Sequence, residues 1–139
     1  MRPGREIDAR VAIEIFGHEV WAKNKVLHER TPEGERPLRS YSKDMEWAWP
    51  VAEKMRVSLI STADGNWFAF SGPQPGWESP KTFLQYLEGG DFSQCGAAAG
   101  PSAPQAICEA ALKVVEKIKF NAQQVQVATE EKPVDSLLN

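Results

Sequence analysis

The residues best suited to chemistry here are rings and cations that recur together in or beside loops. Phe16 stands directly before Gly17 at a helix stop, and Trp21 shares a strand with Lys23. Arg36 and Arg39 precede Tyr41 at the entrance to a helix, and Trp77 lies within the Pro/Gly-dense stretch SGPQPGWESP. Arginine and lysine meet phosphates as charged donors, and aromatic faces stack on bases. The competing reading is structural. Phe16, Trp21, Trp67 and Phe70 also suit a core, and the basic loop residues also suit a solvated surface. Trp47 and Trp77 fit a core less easily, so each is a candidate for ligand or subunit contact.

Other chemistries lack their residues. His18 and His28 do not combine with Cys95 and Cys108 at zinc-finger or zincin spacing, so no metal ligand is assigned. There is no Walker loop, no G-x-G-x-x-G and no G-x-S-x-G. Cys108 falls on the apolar side of a helix, where a buried thiol is expected rather than a nucleophile. The acidic residues are scattered as helix-surface charges, with no pair placed for general acid–base work. The expectation is a protein without catalytic residues and without a cofactor.

With 139 residues, 42% hydrophobic and 25% charged, the chain has the material for one globular core. A net charge of −3 argues against holding duplex nucleic acid by its phosphates. No apolar run reaches membrane-spanning length, and the charged start MRPGREIDARVAIEIFG lacks a signal-peptide core. A cytoplasmic protein with no membrane partner is expected, its two cysteines reduced.

The elements that must carry these residues follow from periodicity. REIDARVAIEIF (5–16) is a helix with Ile7, Val11 and Ile15 inward, Glu6, Asp8, Arg10 and Glu14 on the wet side, and Gly17 as its stop. HEVWAKNKV is a short strand, and the charged stretch HERTPEGERPLRS (28–40) is a long loop. Ser42 is the expected N-cap of a second helix, with Asp44 in its first turn. RVSLISTADGNWFAFSG is a hairpin turning at Asp64-Gly65. A loop over 71–80, a short helix in KTFLQYLEGG and a final strand in DFSQCGAAAG follow. Ser102 and Gln105 form a capping-box pattern opening an Ala-rich helix whose inner stripe is Ile107, Ala110, Ala111, Val114, Val115 and Ile118. Residues 1–120 then make one domain, and 121–139 a polar tail or oligomerisation arm.

The second helix, DMEWAWPV onward, holds two tryptophans at spacing two. On a helix they point about 200° apart, so both cannot face one core. Trp49 falls on the stripe with Met45, Ala52 and Met55 and is the expected core residue. Trp47 falls on the flank, as a contact with a neighbouring subunit or loop. Pro50 predicts a kink or interruption near Trp49, and a rotation there would exchange the two roles.

Three segments in order, REIDARVAIEIFGHEVW, YSKDMEWAWPVAEKM and PSAPQAICEAALKVVE, resemble the phage ABA-sandwich domain family. The matching positions are Gly17, Tyr41, Ser42, Asp44, Trp49 and the run 106–115, within about residues 5–118. Trp47, Pro50, the longer 71–92 segment and the tail depart from the family pattern. The resemblance implies a phage or prophage origin and an α+β fold, a mainly antiparallel sheet sandwiched between helices. Phage anti-Thoeris proteins of similar size and layout sequester cyclic ADP-ribose-type immune signals without cleaving them, and some bind cyclic oligonucleotides.

The expected function is therefore a non-catalytic, homo-oligomeric anti-defence protein in the host cytoplasm that captures a small cyclic nucleotide. Its phosphates would meet Arg36, Arg39 or the helix N-terminus at Ser102, and its base would stack on Phe16, Tyr41 or Trp77. A protein-interaction module using Trp47, Trp77 and the tail is the alternative. A small hydrolase is a third reading, which no motif supports.

Overall fold

The computed structural model describes residues 4–72, 79–89 and 95–119. The Trp77 contact and the 121–139 tail fall outside these residues. Helix α1 (Arg5–Arg10) runs into a π-helical turn (Val11–Ile15). Strands β1 (Glu19–Lys23), β2 (Val26–Thr31) and β3 (Gly34–Pro37) follow, then helix α2 (Met45–Met55), strands β4 (Ser58–Ser61) and β5 (Trp67–Ser71), helix α3 (Pro80–Gly89) and strand β6 (Gly96–Gly100). Helix α4 spans 103–119.

The fold is α+β, and all strand pairing is antiparallel, as expected. Among the described residues the strands divide into two three-stranded sheets, ordered β1-β2-β3 and β4-β5-β6.

The largest departure from expectation is at 28–40, where a loop was expected and a hairpin forms. Asn24 and Lys25 both take positive φ, 53° and 66°, making a two-residue turn between the paired Lys23 and Val26. A second turn closes at Gly34 (φ 135°), where Thr31 Oγ1 accepts from Glu33 N and donates to Gly34 O. The alternation is hidden because a buried position of β2 is filled by a carboxylate, Glu29, instead of an apolar side chain.

Two clusters hold the chain together. In the larger, Ile7, Val11 and Ile15 meet Ala48 and Val51 of α2 and Ile107 and Leu112 of α4, with Val20 and Leu27 of the first sheet packed against them. Full burial of a residue such as Ile107 or Leu112 stabilises the fold by roughly 1.5–3 kcal/mol. In the smaller, Ala69 and Ala98 of the second sheet meet Ala106 and Ala110 of α4. Small residues let sheet and helix approach closely. A Cβ on Gly96 would stand 2.5 Å from the Ala110 carbonyl oxygen and 2.8 Å from Lys113 Cβ.

Several local expectations are corrected. Asp8 is fully buried, not on the wet side, and accepts from both the backbone N and Oγ of Ser42 at 2.8 Å. Ser42 is therefore spent on pinning the loop before α2 to α1, and Asp44 is the N-cap residue. Helix α2 runs through Pro50 as one element. Its inward residues are Ala48, Val51 and Ala52, so Trp49 is 53% exposed and Trp47 is half-buried against the main core. The stripe drawn through Met45 and Trp49 was rotated away from the true inner face. Ile118, expected on the inner stripe of α4, is also exposed, while Gln105 N does reach Ser102 Oγ (3.4 Å) as the capping pattern predicts.

Candidate functional site

The π-helical turn ends in a chain reversal that sets two rings side by side. Phe16 N bonds back to Val11 O and His18 N to Ala12 O, with Gly17 at φ 71° between them. A widened turn of this kind is frequent at functional positions. The Phe16 ring lies 5.7 Å from His18 and 5.6 Å from Tyr41, near-parallel to both. Lys54 Nζ, from α2, stands 5.4 Å from the Phe16 ring centroid.

Beneath these rings sits Glu29. Its place in β2, opposite Val20 of β1 and Arg36 of β3, turns it inward. It is 0% exposed and accepts four hydrogen bonds. Oε1 receives His18 Nδ1 (2.6 Å), Tyr41 OH (2.8 Å) and Arg36 (3.4 Å), and Oε2 receives Arg39 N (2.9 Å). Burial pushes its carboxyl upward, but these donors outweigh burial and hold it below the usual range. An ionised carboxylate only accepts, so His18 Nδ1 carries the hydrogen and Nε2 is the nitrogen not engaged by Glu29.

Burial, with the Glu29 hydrogen bond next, pushes the Tyr41 hydroxyl up to about 12. Arg36 gives Glu29 only a long bond, and its buried Nε donor has no partner among the described residues. The Arg39 guanidinium carbon lies 3.8 Å from the centroid of the Trp47 ring.

Of the six residues named from sequence, Phe16, Arg36, Arg39 and Tyr41 come together around Glu29. Tyr41 is only 2% exposed, so it supports the site from below and offers no free face for a base. Ser102 lies apart, beside β6, where it caps α4. The recess there is lined by Glu109, whose charge works against a phosphate. Trp77 lies outside the described residues. Sequence reasoning missed Glu29, His18 and Lys54, and offered Trp47 as a ligand or subunit contact without placing it beside Arg39. The usable signal was the strand alternation, which places Glu29 and Arg36 on one face of a hairpin.

Among the described residues no three His, Cys, Asp or Glu side chains gather as a metal site. No helix of these residues is long and apolar enough to cross a membrane. Cys95 and Cys108 are both free and buried. Burial pushes the Cys108 thiol up to about 12, and it donates to Tyr41 O at 3.3 Å.

No protein-family model matches the chain, and no curated protein does. Among solved structures, the 2.0 Å crystal structure of a phage protein from Bacillus cereus ATCC 14579 is similar. Its TM-score is 0.56 at 24% identity, over 84% of this chain and 89% of that one. The chain therefore shares its fold with a phage protein.

Proposed function

We propose that this chain is a non-catalytic phage anti-defence protein that captures a small cyclic nucleotide on the face built around Glu29. Cyclic ADP-ribose isomers and cyclic oligonucleotides are the ligand class. The observation that carries the reading is the Arg36 Nε, a buried cationic donor with no hydrogen-bond partner among the described residues. A buried donor left unmet costs about 1–3 kcal/mol, so the partly exposed Arg36 side chain gains by turning toward an anion. Arg39 and Lys54 add charge, and the half-buried rings of Phe16 and Trp47 add stacking surface. Charge and ring together fit a nucleotide better than a bare anion.

Capture without turnover is supported by the state of two of the polar groups, Glu29 and Tyr41. Glu29 already accepts four hydrogen bonds, and the Tyr41 hydroxyl keeps its proton at neutral pH. Neither is placed as a base or a nucleophile. The shared fold with a phage protein supports the phage setting.

The test is to mix the protein with cyclic ADP-ribose isomers and cyclic di- and trinucleotides and measure the loss of free ligand. Heating the protein should then return the ligand intact. Loss without recovery identifies an enzyme, and no loss removes the nucleotide reading.

A second reading, a module that contacts protein, is favoured by one observation. Trp49 is exposed beside a recess lined by Ala52, Glu53, Arg56 and Val57. An exposed tryptophan is a frequent interface anchor. If this face joins copies of the chain, Trp49→Ala shifts the sedimentation of the protein toward monomer and leaves ligand capture by each subunit intact.

A further inference from the structure

We infer that His18 reads the ligand's sugar or base: its Nε2 accepts a hydrogen bond from a ligand hydroxyl or amine while Arg36 and Arg39 hold the phosphate. This rests on the nucleotide-capture reading above.

The geometry fixes the polarity of the imidazole. Nδ1 is committed to Glu29 at 2.6 Å, and that carboxylate has no hydrogen to give. In the neutral ring Nε2 is then a bare lone pair, an acceptor only. The side chain is 14% exposed, and Nε2 is not among the buried polar atoms left without a partner in the described residues, so this lone pair is open to a ligand. A phosphate oxygen, which carries no hydrogen when ionised, gains nothing from such an acceptor. A ribose hydroxyl or an exocyclic amine does.

The ring is also held in place before any ligand arrives. It lies against Phe16 at an interplanar angle of 22°, and its backbone N is tied to Ala12 O at 2.9 Å. An acceptor fixed in advance loses little freedom on binding, so it discriminates well. A site with two kinds of partner follows: cations for the anionic part, and one oriented acceptor for a donor on the remainder. Inorganic pyrophosphate satisfies only the first.

The test compares the wild-type protein with His18→Asn. The asparagine Nδ2 stands where the histidine Nδ1 stood, so the bond to Glu29 is kept while Nε2 is removed together with the rest of the ring that stacks on Phe16. The probes are cyclic ADP-ribose, cyclic diadenylate and, as the anion control, pyrophosphate. The expected result is a melting temperature lowered by no more than a few degrees, about tenfold weaker binding of the cyclic probe that the wild type retains, and equal binding of pyrophosphate. Equal affinity of both proteins for the cyclic probe overturns the inference. So does an equal loss for pyrophosphate, which would make His18 a support for the arginines instead.

If His18→Asn does not fold, nitrogen NMR of the wild-type histidines decides. Saturation with the cyclic probe should move the His18 Nε2 resonance and leave Nδ1 in place; a still Nε2 overturns the inference. A wild-type protein that retains neither cyclic probe removes the nucleotide reading and this inference with it, whereas retention with no effect at His18 removes this inference alone.

Discussion

Arg39 is held at both ends: its guanidinium lies over the Trp47 ring at 3.8 Å, and its backbone N–H donates to Glu29 at 2.9 Å. The pair joins the segment after β3 to α2 and sets a cation and an indole together before any ligand arrives. A contact of this kind contributes about 0.5–2 kcal/mol, depending on how far it is desolvated.

The two tryptophans should behave oppositely on removal. Trp47→Ala loses core contact and the Arg39 stack, and should cost about 2 kcal/mol in chemical denaturation. Trp49→Ala should stay within about 0.5 kcal/mol in the monomer, as an exposed position does. Equal costs would contradict the inward face seen for α2.

Glu29→Gln should destabilise the protein by about 3 kcal/mol, because it leaves Arg36 and three other donors around a group that no longer carries charge. The effect depends on pH. Folding lowers the Glu29 carboxyl below its ordinary 4.5, so its contribution is complete above that value and is lost as pH falls through the folded value. Melting temperatures of the two proteins should therefore differ most near neutral pH and converge on acidification below 4.5.

Gly96→Ala should separate β6 from α4. The new methyl would meet backbone at Ala110 O (2.5 Å) and Val114 N (2.9 Å), neither of which is the end of a flexible side chain. Overpacking of this kind costs about 1–3 kcal/mol, read from the denaturant midpoint.

Elements with a clean apolar period were legible: α1 and its glycine stop, the β4–β5 hairpin, the short α3, β6 and the Ser102-capped α4. The β2–β3 hairpin was not, because its inward positions include Glu29 and Arg36, which mimic a charged loop. Asp8 and Ser42 misled for the same reason. Each is a polar residue satisfied inside the fold, and only the partner across 34 residues reveals it. The α2 stripe failed because alanine and valine, not the larger tryptophan, mark its inner side. Of the candidate site, the arginines and rings were visible as types near loops. The carboxylate that gathers them was not, since sequence spacing does not show that residues 18, 29, 36, 39 and 41 converge.

The most direct test of the central claim is the affinity of Arg39→Met for the nucleotide panel beside that of the wild type. The substitution keeps the backbone N–H on Glu29 and removes the charge over Trp47, so the melting temperature should fall by only a few degrees, as the loss of that contact implies. The account predicts that the wild type retains at least one cyclic nucleotide and that Arg39→Met binds it about tenfold or more weakly. Retention of no cyclic nucleotide by the wild type, or equal affinity in the two proteins, would contradict it.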